Sequence, residues 1–475
     1  MNKKKIVRLE LYNLSRQSRN FTVMAFIGIF AMILVGCKKF LEIPLPKDRL
    51  VSDAVFTDDN SATSAIIGIY SDMMQTRKIH SFNSSLLTGL ESDDLFYPAT
   101  SVPSYVQFQT NGLVSDNTDI GTSWDQLYSY IYDANACMEG LEKSTGVTPI
   151  VKNQLLGEAK FIRAFNYFYL VNLFGDVPLI TNTNYQSNSV IARSAKADIY
   201  KQIVTDLKDA QGLLPAGYAT GERVRPNKWT ATALLARTYL YNKDWENAAI
   251  QASLVISSGV YNPLPALKDV FLKTSNETIW QLMPVNGSYN TFIAALLVPI
   301  SNVRQPSLPL TENLANSFEA NDRRRVEWVG TSVFSGITYH YANKYKIRSG
   351  AIPLNEYFIV FRVAEQYLIL AEASARLNKI NDALNAVNVI RARAGLVNLA
   401  STLDQSQSLS AIERERRSEL FIEFGHRWFD LKRTDRLNAV MAAFKPGIWK
   451  STADLWPIPL DQLKANKGLT QNPGY

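Results

Sequence analysis

The segment from Arg225 to Gly259, RPNKWTATALLARTYLYNKDWENAAIQASLVISSG, restricts the fold more than any other part of the sequence. Leu235, Tyr239 and Leu240 supply the apolar surface of one helix, and small residues at Ala236 and Ala248 let a second, antiparallel helix approach it closely. The turn Asn242-Lys243-Asp244 is short and polar, as suits a helix-to-helix connection. One such pair cannot bury both of its faces, so the pattern demands further copies. A second copy is present: Leu370 and Ala371 are followed by Ala383 and Val387, with the same thirteen-residue offset that separates Leu235 from Ala248. The polar run Asn378 to Asp382 stands where Asn242 to Asp244 stood.

These offsets are those of tetratricopeptide repeats, with Ala236 for the usual Gly, Ala252 for the usual Phe, and Ser374 for the Tyr in the second copy. The fold expected is therefore all-α in the main: a tetratricopeptide-like helical scaffold rather than two unrelated helical hairpins. Scaffolds of this kind bind partners or ligands and rarely perform chemistry by themselves.

The chain begins with a basic leader holding Lys3, Lys4, Lys5, Arg8, Arg16 and Arg19, followed by the uncharged apolar run Phe21 to Val35. That run is shorter than the ~20 residues a membrane-crossing helix needs, and its basic flank makes it a secretory signal. Residues 1–36 carry six Lys/Arg and one acidic residue, so a cleaved chain keeps about +2 of the +7 formal charge. A basic face for nucleic acid is not expected on the remainder. Cys37 and Cys137 are the two cysteines. The start CKKFLEIPLPKDRL (37–50), with Pro44 and Pro46, reads as an extended tether.

Helices are expected from Asp58 to Met74, from Trp124 to Glu142, from Val151 to a stop at Gly175, and from Ala197 to Leu214. The third is apolar around so much of its circumference, with Phe161, Phe165 and Phe168 beside the main stripe, that it must lie between neighbours. Thr88 to Thr122 has no steady period and mixes Glu91, Asp93, Asp94, Phe96, Tyr97 and Tyr105 with Gly, Pro, Ser and Asn. Rings and carboxylates on a loop can hold a sugar, the rings stacking on its apolar faces and the acids taking its hydroxyls. The alternative is that they pin an irregular loop to the core. Between Gly259 and Pro353 the composition turns rich in Pro, Asn, Ser and Gly, too long for a structureless loop. It reads as an irregular lobe with little strand, inserted between repeats. Glu277 to Leu282 is its strand candidate. In the last helices Glu413 and Arg417 form an i,i+4 pair, while Glu423, Arg427 and Asp430 suit a buried charge network. The expected divisions are 1–36 (signal), 37–50 (tether), 51–259 (first helical part), 260–353 (inserted lobe) and 354–475 (second helical part).

Five stretches together resemble the SusD/RagB family of Bacteroidetes surface lipoproteins: Glu158 to Ile180, Ala364 to Asn378, Val389 to Leu396, Arg416 to Arg433 and Trp456 to Tyr475. They occur in the family's order and follow Leu34-Val35-Gly36-Cys37, which resembles a lipobox. The resemblance implies lipidation of Cys37, attachment to the outer face of the outer membrane, and capture of glycans or other nutrients for a SusC-like TonB-dependent transporter. Lys38 and Lys39 stand where many members carry acidic residues. The family's ligand sites have no motif that transfers position by position, so the candidate ligand residues are taken from the two loop regions. They are Asp94, Phe96 and Tyr97 from the early segment, with Arg77 nearby as a donor, and Tyr289, Trp328, Tyr339 and Tyr341 from the inserted lobe.

Two other functions compete. A peptide-binding tetratricopeptide adaptor of the cell envelope would line a concave helix face with Lys, Arg and Asn, whereas the helix faces assignable here are largely apolar. An enzyme finds little support: His80, His340 and His426 are isolated, no metal-ligand spacing is present, and no nucleophile elbow or phosphate loop occurs. A glycoside hydrolase needs two facing carboxylates, and Glu91, Asp93 and Asp94 are too close in sequence to face each other across a sugar. No cofactor, metal or catalytic group is expected.

Overall fold

The computed structural model describes residues 55–285, 287–350 and 352–475. The leader, Cys37 and the tether lie outside the described residues. The first helix, α1 (Asp59–Met73), is capped by the Asp58 carboxylate, which accepts from the amides of Asn60 and Ser61. After it come two short helices, α2 (Ser84–Glu91), which ends inside the segment expected to be loop, and α3 (Pro103–Thr110), which lies wholly within it. Pro103 opens α3, a position where its missing amide costs nothing, and Asn111 closes it in the left-handed conformation. The eight residues of α3 are too few to display a period against the surrounding Ser and Asn.

The stack then runs through α4 (Thr118–Lys143), α5 (Pro149–Phe174), α6 (Lys196–Leu213), α7 (Lys228–Tyr241) and α8 (Trp245–Ser257), each packed on the next. Leu235, Ala236, Ala248 and Ala252 are fully buried, as close approach of α7 and α8 requires. The chain then leaves the stack for the lobe and returns as α9 (Val363–Arg376) and α10 (Ile380–Arg393). Helix α9 packs directly on α8, so the array continues across the interruption. Ala364, Leu368, Ala371, Ala383 and Val387 form the core of this second pair. Two further helices, α11 (Gln405–Leu420) and α12 (His426–Arg433), finish the scaffold. The all-α, tetratricopeptide-like expectation holds.

Four short strands lie among residues 278–362. β1 (Thr278–Leu282) pairs antiparallel with β4 (Phe358–Arg362), and β2 (Val329–Phe334) forms a hairpin with β3 (Ile337–Ala342). β1 is buried at every position, as expected from its apolar run. Trp280 of β1 meets Phe161 and Phe165 of α5 at 5.1 and 5.3 Å, edge to face, and stacks on Phe361 of β4 at 5.9 Å. The aromatic stripe of α5 thus packs against the inner strands, each ring pair adding about 0.5–1.5 kcal/mol beyond burial.

A buried charge network makes the second join. Arg362, at the end of β4, donates to Glu277 at 3.0 Å and to Glu423 at 2.8 and 2.9 Å, and it also pairs with Glu419. Lys344 binds Glu423, and Arg324 bridges Asp322, Glu415 and Glu419. Asp430 lies between Arg416 and Arg433. The charges of 416–433 are therefore structural, but the partners differ from the local reading. Glu413 pairs with Arg427 and Arg436, while Arg417 reaches Asp93 at 2.9 Å, so the expected Glu413–Arg417 pair does not form. Arg417 thus pairs with a buried carboxylate in preference to a part-buried neighbour on its own helix.

Candidate functional site

The early segment divides into a buried acidic half and a half-exposed aromatic half. Glu91 is fully buried and accepts the Trp456 indole N–H at 2.8 and 2.9 Å; burial raises its carboxyl to about 8. Asp93 is clamped by Arg427 at 2.7 and 2.9 Å; burial opposes ionisation there, but the two arginines facing it hold its carboxyl below the usual range. Burial raises Asp94 to about 6, with Asp93 adding to the rise and Arg417 opposing it from 3.6 Å. Asp94 is consequently a core residue and leaves the candidate set. Its ion pair with a helix more than 300 positions away had no local signature.

Phe96 and Tyr97 are half-buried. The Tyr97 ring stands edge-on to Tyr105 at 5.5 Å, its hydroxyl lies 2.9 Å from the Ser101 hydroxyl, and its amide donates to the Gln109 side chain. Burial raises the Tyr105 phenol, Asp119 adds to this, and Arg77 is near enough to oppose it. Arg77 itself is exposed, on a left-handed residue that turns the chain after α1. Arg77, Tyr97 and Tyr105 are therefore neighbours.

Residues 94–96 run antiparallel to 309–311: Thr311 donates to the Asp94 carbonyl at 2.9 Å and Phe96 to the Pro309 carbonyl at 3.0 Å. Leu310 in turn donates to the His340 carbonyl of β3 at 2.8 Å. Two strand spacings, about 10 Å, thus separate the backbone of Leu95 from that of β3. Tyr339 and Tyr341 sit two residues apart on β3 and share a face of the hairpin. Both are half-buried; Gln305 donates to the Tyr339 hydroxyl at 3.2 Å, and Tyr341 lies across Gly330 of β2. Tyr289 is half-buried and packs on Phe292 at 5.5 Å, which meets Phe82 at 4.9 Å on the turn that follows Arg77.

Trp328 is the other correction. It is fully buried, donates its indole N–H to the Leu267 carbonyl at 2.9 Å, and has Lys344 over its ring at 5.0 Å. Expected as a ligand-facing aromatic of the inserted lobe, it is instead a core ring packed edge-on against Phe271 at 5.5 Å. The structure thus groups Arg77 with Tyr97 through Tyr105, and Tyr339 with Tyr341 on one face of β3; Phe96 bonds to the segment between them, and Tyr289 packs on Phe292. Sequence reasoning missed the polar groups that hold the rings, Ser101, Gln109 and Gln305, which lie in aperiodic stretches and reach their partners only through the fold.

The clustered acids are all buried, Glu91 against the Trp456 indole and Asp93 and Asp94 against arginines of 417–427. Among the described residues no group of His, Cys, Asp and Glu is placed to hold a metal, and no helix is long and apolar enough to cross a membrane. Cys137 is buried, which pushes its thiol up to about 12.

Residues 46–240 match a SusD-like family described as starch-binding and associating with the outer membrane, and residues 311–475 match the SusD family. SusD-like protein P25 of Formosa agariphila is 25% identical over 96% of this chain and 99% of its own length. A SusD superfamily protein from Bacteroides vulgatus superposes with a TM-score of 0.80 at 20% identity, covering 88% of this chain and 100% of that one. A laminarin-binding SusD-like protein gives 0.76 at 23% identity, with the same coverage. The two family matches, the second of which begins inside the lobe, include all five stretches that resembled the family, and the fold agrees over nearly the whole of the described chain. The chain belongs to the SusD/RagB family.

Proposed function

We propose that the protein is a cell-surface glycan-binding lipoprotein, anchored to the outer membrane through an acylated Cys37. In this reading it captures oligosaccharides and delivers them to a SusC-like TonB-dependent transporter. Members of its family are carbohydrate-binding proteins rather than enzymes. One observation carries the ligand side of the reading: the Leu95–Leu310–His340 ladder brings two aromatic segments, distant in sequence, to within two strand spacings of each other. Phe96, Tyr97, Tyr289, Tyr339 and Tyr341 offer rings for the apolar faces of sugars, and Arg77 offers donors for hydroxyls. A sugar held on two such rings gains only a few kcal/mol net, so dissociation constants from micromolar to millimolar are expected.

The test is a glycan array followed by calorimetry on the best ligand, using wild type and the variants Tyr97→Ala and Tyr339→Ala. Each variant should weaken binding about tenfold and leave the melting temperature unchanged; unaltered affinity in both removes these residues from the site. Cys37→Ala should release the protein from membranes, and wild type should bring down a large β-barrel partner on purification. A soluble partner in its place would favour the envelope adaptor.

A further inference from the structure

A cavity of about 640 Å³ opens where several scaffold helices end. The last turn of α5, the first residue of α6, the end of α7, the end of α12 and the C-terminal tail all meet there. Its charge is unbalanced in a specific way. Arg193, Lys196 and Lys432 all line it, and none of the three has a carboxylate within ion-pair distance among the described residues. Arg193 donates only to neutral acceptors: the carbonyls of Asp176 at 2.7 Å and Thr470 at 2.8 Å, the Phe174 carbonyl and the Asn472 amide. Lys432 donates to the Asn172 carbonyl at 2.6 Å. The Lys196 ammonium lies 5.7 Å from the Tyr200 ring, and Asp454 and Asp176, beyond ion-pair distance, favour its charged form.

Arg193 and Lys432 are half-buried and Lys196 is exposed at the rim, which differs from the fully buried cation clusters described above. Around Arg362 and Arg416 each guanidinium faces a carboxylate at bonding distance; here three cations are gathered about a void. Burial lowers the Lys432 ammonium to about 8, with Lys196 adding to the fall and Asp454 opposing it. Lys196 is lowered as well, first by burial. An anion in the cavity would relieve both effects, since opposite charge favours the protonated amines.

The volume is too large for an inorganic oxyanion alone and lies within the range of small-ligand pockets, about 300–1,000 Å³. Asp176 and Asp454 also line it, and their oxygens can accept hydroxyl groups. We infer that this cavity is a second ligand site, separate from the aromatic face, for a small acidic sugar. Its carboxylate lies among Arg193, Lys196 and Lys432, and its hydroxyls reach Asp176 and Asp454. The inference does not depend on the loop-face reading.

Calorimetry on the full-length protein in detergent, with sodium glucuronate, glucose and sodium sulfate as probes, tests it. Glucuronate should bind at least tenfold more tightly than glucose and more tightly than sulfate. Lys432→Met should weaken glucuronate at least tenfold. Lys196→Met, which loses no side-chain hydrogen bond, should do the same with an unchanged melting curve. Tyr97→Ala and Tyr339→Ala should leave glucuronate binding intact, which separates this site from the first. Equal binding of glucuronate and glucose, or unchanged glucuronate affinity in folded Lys196→Met, overturns the proposal. Sulfate binding as tightly as glucuronate also overturns it, because the site would then recognise an oxyanion without the sugar.

Discussion

Arg237 and Glu365 form a fully buried, bidentate ion pair, with both nitrogen-oxygen distances at 2.6 Å. Arg237 lies on α7 and Glu365 on α9, so the pair ties the repeat that precedes the inserted lobe to the one that follows it. The Arg237 guanidinium also stacks over Phe361 of β4 at 4.5 Å, adding the inner sheet to the same contact. Burial alone would lower the Arg237 pKa; the facing carboxylate outweighs this and leaves it raised.

Removing one partner of such a pair strands the other in the core. Glu365→Leu is therefore expected to lower stability by about 3–5 kcal/mol, read by urea unfolding. Arg237→Met combined with Glu365→Leu should recover a large part of that loss, because no uncompensated charge remains. A double variant as unstable as the single one would mean that packing, not charge, holds this join.

Trp328 and Tyr339 separate structural from ligand-facing aromatics. Trp328→Ala empties a fully enclosed site and removes the bond to the Leu267 carbonyl, so a loss of about 3–5 kcal/mol is expected. Tyr339→Ala removes a half-exposed ring and should change stability by less than about 1 kcal/mol. Thermal unfolding of the two variants side by side checks the contrast. A Trp328→Ala protein with native stability would return that ring to the surface.

The difference between these two rings also marks where the sequence stops being informative. Repeats α7–α8 and α9–α10 were legible because burial on one face imposes a helical period on Leu235, Ala236, Leu370 and Ala371. β1 was legible because every position from Thr278 to Leu282 faces the core. Trp328 and Asp94 carried no such pattern: Trp328 bonds to Leu267, 61 positions earlier, and Asp94 faces Arg417, more than 300 positions later. The same holds for the site. The ring-bearing candidates could be guessed from residue type in aperiodic segments, but the approach of the two segments depends on the Leu95–Leu310 bridge, a contact with no periodic signal. Glu413 and Arg417 illustrate the converse error, a local pair dissolved by better partners elsewhere.

Glu91 gives a pH signature. With its carboxyl raised to about 8, the folded protein retains a proton between the ordinary Glu range and pH 8 that the unfolded chain releases. Its contribution to stability is complete below the unfolded Glu pKa and is lost as pH rises toward 8, at up to roughly 1.4 kcal/mol per pH unit. Lys445, lowered to about 7 by burial, acts in the opposite direction but only above that pH. Glu91→Gln keeps an acceptor for the Trp456 indole and removes the titration. Wild type should lose stability relative to this variant between about pH 5 and pH 7 in urea unfolding. A constant difference across that range would show that Glu91 is ionised in the fold.

Gly330 tests whether the pose of Tyr341, rather than its presence alone, matters for binding. The two residues are directly paired across the β2–β3 hairpin, and a methyl group on Gly330 would lie 2.1 Å from the Tyr341 ring carbon that bears the hydroxyl. The Gly330 backbone is not left-handed, so Gly330→Ala carries no conformational strain of its own. The only atoms in the way belong to the outer end of a half-exposed side chain, which can swing clear. Stability should thus change by no more than about 1 kcal/mol, while the ring is displaced from the position it shares with Tyr339. If that pose contributes to the glycan surface, Gly330→Ala weakens ligand binding nearly as much as Tyr341→Ala. The double variant then adds almost nothing, since both changes remove the same contact. Calorimetry on the two single variants and the double completes the cycle. Additive losses would show that Gly330 acts on the ligand through something other than the Tyr341 ring.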